Sequence, residues 1–270
     1  MKALISSDIH GKTEDFESYA KILRDGSYDI GILAGDILDD SIATGELEHM
    51  FSLANIDPDE LVPELIPADI NENDFIEQQL RRLRDPDFPL MRALRKKEDC
   101  IREILRKAGK PVYLIPGNHD LTDWDSDDLL INIHRRRVDL GVWNLVGYRW
   151  TRIDRHREDH IRDMIAMSHM IDRRTVLVSH EPPYGILDSD TDDQGDTLHK
   201  GSKELAKMVG IRQPAWHLFG HVHRSFGRRG RSINAAFRIH RNFVSIDLVS
   251  GRHEMISAEP IPEMEPSRSV

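Results

Sequence analysis

Acidic, amide and imidazole side chains recur in five short blocks of the sequence, and each block follows a short apolar run. The blocks contain Asp8 and His10, Asp36, Asn118 with His119 and Asp120, His180, and His221 with His223. Oxygen and nitrogen ligands without thiolates suit Mn²⁺, Fe or Zn²⁺. The blocks hold three carboxylates, one amide and five imidazoles, and even two carboxylates, one amide and four imidazoles are too many ligands for one tetrahedral ion. The residue types therefore predict a site for two divalent metal ions.

The elements that must position these side chains are predicted from the apolar periodicity. Strand-length apolar runs precede the five blocks: Ala3–Ser6, Ile30–Ala34, Val112–Ile115, Thr175–Ser179 and Ala215–Phe219. Helical patterns lie between them, near Glu14–Leu23, Leu90–Ala108, His160–Ile171 and Lys203–Val209. This alternation predicts an α/β domain with a mostly parallel sheet. Ligands gather at the carboxyl ends of the strands in such sheets, so we expect the five blocks to converge on one edge.

The last part of the chain has a different pattern. Two closely spaced strand patterns, Arg231–Ile239 and Asn242–Val249, are followed by Met255–Ala258, and Val138–Leu140 with Trp143–Gly147 resembles a further hairpin. We expect these pieces to form a second, more antiparallel sheet stacked on the first.

Composition excludes several classes of protein. The 270 residues carry 37 Lys and Arg against 47 Asp and Glu, a net charge of −10, which gives no strong sign of nucleic-acid binding. The single cysteine, Cys100, excludes an intramolecular disulfide and a cysteine-built metal site. No apolar run reaches the roughly 18 residues of a membrane span. The run Ala3–Ile5 is too short for the core of a secretory signal, so we expect a cytoplasmic protein.

One segment is segregated by charge. Residues 41–80 contain ten acidic residues and no lysine or arginine, whereas residues 81–107 contain ten basic and five acidic residues. Solvated helix faces in a long connection would explain this pattern. The alternative is a cap or a homodimer contact in which the acidic half meets the basic half.

The sequences of the five blocks, and their order along the chain, resemble those of the calcineurin-like metallophosphoesterase family. The blocks read DIH at 8–10, GDILD at 35–39, GNHD at 117–120, SHEPP at 179–183 and GHVH at 220–223. The later blocks are similar to the small single-domain branch of the family. The resemblance implies a four-layer α/β/β/α sandwich. We therefore expect one domain over residues 1–258, with a helical, charge-segregated insertion around 41–109, and a C-terminal tail over 259–270.

The same resemblance implies a role for each block residue. The implied ligands are Asp8, His10 and His223 for the first metal, Asn118, His180 and His221 for the second, and Asp36 as the bridge. His119 would lie over the site without binding metal and would protonate the leaving oxygen or stabilise charge on the phosphate. Asp120 would orient the His119 ring.

The expected reaction is hydrolysis of a small phosphate ester. A water bound to the two ions would lose its proton near neutral pH and attack phosphorus in line with the ester oxygen. The expected substrate is a small phosphodiester, such as a cyclic nucleotide. A phosphomonoesterase acting on a nucleotide or sugar phosphate is the alternative, and a nuclease is a weaker one. A scaffold protein without metals, or a protein that stores or senses metal, would be a different class. Tyr184 and His199 are further candidates for contact with the substrate.

Overall fold

The first sheet carries three of the five predicted strand ends. The computed structural model describes residues 1–38, 89–120, 122, 124–149, 157–191 and 194–258. Within them, one six-stranded sheet has the order β14-β13-β1-β2-β3-β4. Its strands are β1 (Lys2–Ser6), β2 (Ile30–Ala34), β3 (Val112–Ile115), β4 (Leu130–Asn132), β13 (Asn242–Asp247) and β14 (His253–Ser257). Strands β1 to β4 are parallel, whereas β13 and β14 add in antiparallel fashion beside β1.

The second sheet carries the other two strand ends and has the order β11-β12-β10-β7-β6-β5. Its strands are β5 (Arg137–Asp139), β6 (Asn144–Tyr148), β7 (Thr175–Ser179), β10 (Trp216–Phe219), β11 (Gly227–Arg229) and β12 (Ser232–Asn234). The four central strands are parallel, and only the edge strands β5 and β11 are antiparallel to their neighbours. A separate antiparallel hairpin joins β8 (Ser189–Thr191) to β9 (Thr197–His199).

Helices cover the outer face of each sheet and complete four layers. The helices are α1 (Thr13–Asp25), α2 (Pro89–Arg106), α3 (Arg157–Ser168), α4 (Lys203–Arg212) and the short α5 (Phe237–His240). Helices α1 and α2 pack on the first sheet, and α3 and α4 pack on the second.

Alternation along the strands builds the core of this sandwich. In β3, Leu114 faces the helix layer, whereas Ile115 faces the second sheet. In β7, Leu177 faces α3 and α4, whereas Val178 faces the first sheet. Because successive strand residues point to opposite faces, five-residue strands that are buried on both faces must be apolar throughout.

The sequence-based prediction was correct in fold class and wrong about the assignment of strands to sheets. The five blocks do not follow strands of one sheet: β1, β2 and β3 lie in the first sheet and β7 and β10 in the second. The second sheet is mostly parallel, and the C-terminal strands β13 and β14 extend the first sheet instead. The predicted strand Arg231–Ile239 divides into β12 and α5. The predicted hairpin at 138–147 is confirmed as β5 and β6.

Two predicted segments lie largely or wholly outside the described residues. These are the charge-segregated insertion as far as residue 88 and the tail at 259–270. In the part of the chain that is described, no helix is both long and apolar enough to cross a bilayer.

Candidate metal centre

Within each sheet, backbone hydrogen bonds join loops that follow neighbouring strands. The N–H of Asp8 donates to the carbonyl of Gly35 (3.0 Å), and the N–H of His10 donates to the carbonyl of Asp36 (3.0 Å). Across the second sheet, the N–H of Gly220 donates to the carbonyl of His180 (3.1 Å). Between the sheets, the N–H of His221 donates to Oδ2 of Asp8 (2.9 Å), and Nδ1 of His180 donates to the carbonyl of Ala34 (2.9 Å). The carboxyl ends of strands in the two stacked sheets therefore meet at one edge of the sandwich.

The backbone at this edge adopts a conformation that side chains rarely take. Four block residues are left-handed, with φ between 50° and 67°: Asp8, His10, Asp36 and His221. A left-handed residue other than glycine is uncommon, and such strain concentrates at functional sites. Four strained residues in one cluster thus indicate a site in which side-chain direction matters more than local stability.

Glycines leave room for the two aspartates. A Cβ atom at Gly117 would lie 2.2 Å from Oδ1 of Asp36. A Cβ atom at Gly220 would lie 2.0 Å from Oγ of Ser7 and 2.1 Å from Oδ2 of Asp8. Both positions therefore require glycine because a ligand side chain occupies the space beside the backbone.

One ligand group contains Asp8, His10 and His223. Their ligand atoms lie within 4.8 Å of one another. Nε2 of His223 is 3.1 Å from Oδ1 of Asp8 and 3.4 Å from Nε2 of His10. The backbone N–H of His221 donates to the same carboxylate (2.9 Å), which fixes its direction.

A second group contains Asn118, His180 and His221. Oδ1 of Asn118 is 2.8 Å from Nε2 of His180 and 3.0 Å from Nδ1 of His221. Nδ1 of His180 donates to the carbonyl of Ala34 (2.9 Å), so its Nε2 atom points into the cluster. Such a backbone contact is the usual way in which a metal-binding imidazole is oriented.

Asp36 lies between the two groups. Its Oδ2 atom is 3.8 Å from Nε2 of His10 and 3.3 Å from Nε2 of His180. Oδ2 of Asp36 is also 3.8 Å from Nε2 of His119, and Oδ1 accepts the backbone N–H of His119 (2.9 Å). The His119 ring meets the His10 ring edge-on at 5.0 Å and is partly exposed, so it lies at the open side of the cluster.

The electrostatics of the cluster favour positive charge. Burial opposes ionisation of Asp36, but the neighbouring charge of His180 and hydrogen bonds outweigh it and lower the pKa of Asp36. Burial likewise opposes protonation of His180, and the charge of Asp36 outweighs it and raises the pKa of His180 to about 10. Burial lowers the pKa values of His10 and His221 to about 4, so both rings are neutral at pH 7. Two anionic carboxylates beside the neutral rings of His10 and His221 thus form a donor set for cations, and a bound metal ion would displace the proton that His180 holds at pH 7.

The donor set fits divalent metal ions. Nε2 of His180 faces the amide oxygen of Asn118 and a carboxylate oxygen of Asp36, so the position of the His180 proton lies between three potential ligand atoms. A metal ion at that position would contact all three atoms in place of the proton. The ligand atoms are oxygen and nitrogen only, which suits Mn²⁺, Fe or Zn²⁺. All seven residues expected to bind metal are brought into this one region.

Asp120 has a different place from the expected one. Its carboxylate accepts the backbone N–H groups of Ile37 (3.1 Å), Leu38 (2.7 Å) and Gly117 (2.7 Å), and no bond to the His119 ring is among its contacts in the described chain. Asp120 thus joins the loop after β2 to the loop after β3. Because both carboxylate oxygens of Asp120 accept these three N–H groups, the carboxylate is directed at the backbone and not at the His119 ring.

Two residues that hold the ligand loops were missed by the sequence analysis. The Oγ atom of Ser7 donates to the carbonyl of Ala34 (2.9 Å). The fully buried Asn234 donates from Nδ2 to the carbonyl of Val222 (3.0 Å), between two ligand histidines. Neither residue belongs to a recognisable spacing pattern, because each acts through a contact with a distant loop.

The profile of the calcineurin-like phosphoesterase family matches residues 1–225, a range that includes every residue of both ligand groups. The two-sheet sandwich and the ligand groups at its edge define the class of protein as a metal-dependent phosphoric ester hydrolase. The chain belongs to the calcineurin-like phosphoesterase family.

Similarity to individual proteins covers most of the chain in structure but only a short stretch of it in sequence. The chain is 44% identical over 52 residues to the UPF0046 protein K07C11.7 of Caenorhabditis elegans, a match that covers 19% of this chain and only 16% of that protein. One solved crystal structure aligns with 95% of this chain and 98% of its own at a TM-score of 0.63 and 14% identity. The crystal structure of TT1561 of Thermus thermophilus aligns over the same shares at a TM-score of 0.52 and 13% identity.

Proposed function

We propose that the protein is a dinuclear-metal phosphodiesterase that hydrolyses a small phosphodiester, such as a cyclic nucleotide. The observation that carries the proposal is the position of Asp36. Its Oδ2 atom is within 3.8 Å of His10 on one side and 3.3 Å of His180 on the other. A carboxylate between two imidazole groups is suited to bridge two ions.

Two metal ions are assigned to the two ligand groups. Asp8, His10 and His223 would hold the first ion, Asn118, His180 and His221 would hold the second, and Asp36 would contact both. When bound, the ions would activate a water molecule near neutral pH and offset negative charge on the phosphoryl oxygens. The proposed metals are Mn²⁺, Fe²⁺ or Fe³⁺, and Zn²⁺, because the ligands are imidazoles and carboxylates.

His119 is the proposed general acid. Its Nε2 atom lies at the open side of the cluster, and its backbone N–H is tied to Asp36 (2.9 Å). From there the ring would donate a proton to the leaving oxygen, or stabilise charge on the phosphoryl group.

The charges near the ligand loops favour a diester over a monoester. Lys200 and Arg224 are basic residues near the loop that carries His223, and both pair with Asp190, at 2.5 Å and 3.7 Å. Their charge is therefore partly neutralised. A monoester dianion needs more positive charge than the monoanion of a diester, so this pairing supports the diester.

Rates on two matched chromogenic substrates test the proposal. Protein stripped of metal and reloaded with Mn²⁺, Fe²⁺, Zn²⁺ or Mg²⁺ is assayed on bis(p-nitrophenyl) phosphate and p-nitrophenyl phosphate, with the bound metal measured by elemental analysis. We expect two ions per chain and faster hydrolysis of the diester. Faster hydrolysis of the monoester would make the protein a phosphomonoesterase, and inactivity with every metal would exclude both.

A further inference from the structure

A hairpin forms one wall beside the ligand loops. The hairpin segment, residues 183–191 and 194–203, contains β8 and β9. At its base, the N–H of Ser202 donates to the carbonyl of Pro182 (2.9 Å), in the loop that begins with His180. At its other side, Oγ of Ser225 donates to the carbonyl of Ser189 (2.7 Å), from the 3₁₀ turn that begins with His223. The hairpin segment is thus attached to loops that carry ligands of both metal groups.

Asn234 strengthens this attachment from below. Its Nδ2 atom donates to the carbonyl of Leu187 (3.2 Å) as well as to that of Val222 (3.0 Å). Val222 stands between His221 and His223, so one buried amide links the hairpin segment to both ligand histidines. The position of the hairpin segment is therefore coupled to that of the metal centre.

Two aromatic rings on this segment are exposed although they are held firmly. The Tyr184 and His199 rings are 5.1 Å apart at 47°, and each residue is 41% exposed. Nζ of Lys203 lies 5.2 Å from the centre of the Tyr184 ring. The two rings are inclined to each other, so they offer two separate aromatic faces beside the loops that carry the ligands.

A buried carboxylate fixes the exposed imidazole. Asp188 is 1% exposed, and its Oδ1 atom is 3.0 Å from Nδ1 of His199. Its Oδ2 atom accepts the N–H of Gly185 (2.9 Å), next to Tyr184. The Asp188 carboxylate thus fixes the orientation of the His199 ring and the position of the backbone next to Tyr184. A surface that is ordered before a ligand arrives loses less entropy on binding.

We propose that Tyr184 and His199 bind a flat ring in the ester group of the substrate. The inference rests on the proposed phosphoesterase activity and adds the substrate class: phosphate esters whose alcohol part carries an aryl or heteroaryl ring. The ring of such an ester would stack on one of the two inclined rings while its phosphate occupies the metal centre.

Binding of two phosphonates that cannot be hydrolysed tests this assignment. Calorimetry with Mn²⁺-loaded protein compares phenylphosphonate with methylphosphonate, which has the same head group and no ring. We expect the wild type to bind the phenyl compound about fivefold more tightly, the effect of one aromatic contact. Tyr184→Ala should reduce the ratio of the two dissociation constants to near one, and Tyr184→Phe should retain it.

Leu198→Ala is the matched control. Leu198 is 44% exposed on the same strand as His199, and neighbouring strand residues point to opposite faces. This variant should retain the ratio. A wild-type ratio near one, an unchanged ratio in Tyr184→Ala, or an equal loss in Leu198→Ala would overturn the assignment. If Tyr184→Ala does not fold, Tyr184→Leu takes its place with the same expected loss.

The same preparations separate this inference from the proposed function. If the wild type hydrolyses bis(p-nitrophenyl) phosphate but binds the two phosphonates equally, the proposed activity stands and the ring-binding assignment fails. If it prefers phenylphosphonate but hydrolyses neither chromogenic substrate, the ring-binding assignment stands and the proposed activity fails.

Discussion

Asp36 combines a left-handed backbone with a carboxylate between two ligand groups. At φ 50° an alanine would be strained, so Asp36→Ala changes backbone energy as well as charge. Asparagine tolerates this conformation and retains one oxygen, so Asp36→Asn isolates the lost negative charge.

We expect both Asp36 variants to lose metal and activity together. The bridge contributes to both ions, so its loss weakens both ligand groups. Elemental analysis after gel filtration should find fewer than two ions per chain in Asp36→Asn and in Asp36→Ala. Two retained ions in either variant would contradict the bridging role.

His119 should affect turnover without affecting metal content. Its ring lies at the open side of the cluster, and its backbone N–H, which donates to Asp36, is retained in His119→Ala. We expect His119→Ala to lower kcat by about 10²- to 10⁴-fold, the range for a lost acid–base group. Metal content should stay at the wild-type level. His169→Ala, outside the site, is the control, and near-normal turnover in His119→Ala would remove this residue from the reaction.

At the scale of elements, Asp120 braces two loops. Its carboxylate accepts N–H groups from the loops after β2 and β3. In Asp120→Asn an amide N–H₂ would face these donors, so we expect a loss of about 1–3 kcal/mol in the free energy of unfolding, the cost of unsatisfied buried groups. Urea unfolding measures this loss. A variant of wild-type stability with reduced turnover alone would restore the ring-orienting role that the sequence suggested.

Gly220 follows β10 at a position where the Asp8 side chain leaves no room for a Cβ atom. A Cβ atom there would lie 2.1 Å from Oδ2 of Asp8, whereas nothing lies within 4 Å of a Cβ at Gly210 in α4. We expect Gly220→Ala to displace the Asp8 side chain and reduce metal affinity at least tenfold, as small displacements of supporting groups do. Gly210→Ala should retain metal affinity and gain up to about 1 kcal/mol of stability. Equal metal affinity in the two variants would show that the close approach is relieved elsewhere.

Strand positions were predictable, whereas strand partners were not. The bounds of β2, β3 and β7 match the apolar runs because strands buried on both faces are apolar without interruption. That pattern does not encode which sheet a strand joins. The three-residue strands β4, β8 and β11 are too short to show alternation.

The site was predictable to the extent that motifs specify it. The resemblance of the blocks to the family implied the seven expected ligands and His119, and the structure brings these residues together because each block lies within a few positions of a strand end. The contacts of Asp120, Ser7 and Asn234 depend on backbone groups of distant loops, for which a single sequence has no local signal.

For the molecule as a whole, the second sheet buries a histidine on its helix-covered face, outside the ligand groups. His217 in β10 is 1% exposed, and its Nε2 atom is 2.7 Å from Oγ of Ser179 in β7. Ser179 donates its own proton to the carbonyl of Glu181, so His217 must donate to the hydroxyl. Its Nδ1 atom has no partner in the described chain. Burial lowers the pKa of His217 to about 3.

This histidine should make the stability of the sandwich depend on pH. Unfolding returns its pKa to about 6.5, so the unfolded chain binds one more proton than the folded chain between about pH 3 and 6.5. The contribution of the neutral ring is therefore complete above pH 6.5 and is lost as pH falls below it. We expect about 2 kcal/mol of this contribution to be lost between pH 7.5 and pH 5.

His217→Gln isolates that contribution, because glutamine retains a donor for Ser179 and does not titrate. Urea unfolding of metal-stripped wild type and variant at pH 7.5 and pH 5 gives four free energies. The buried ligand histidines His10 and His221 also lose stability on acidification, but they do so equally in both proteins and cancel in the double difference. We expect the variant to lose about 2 kcal/mol less than the wild type over this interval. Equal losses in the two proteins would mean that His217 takes up its proton without unfolding, and that the layer between the second sheet and its helices admits a charge at this position.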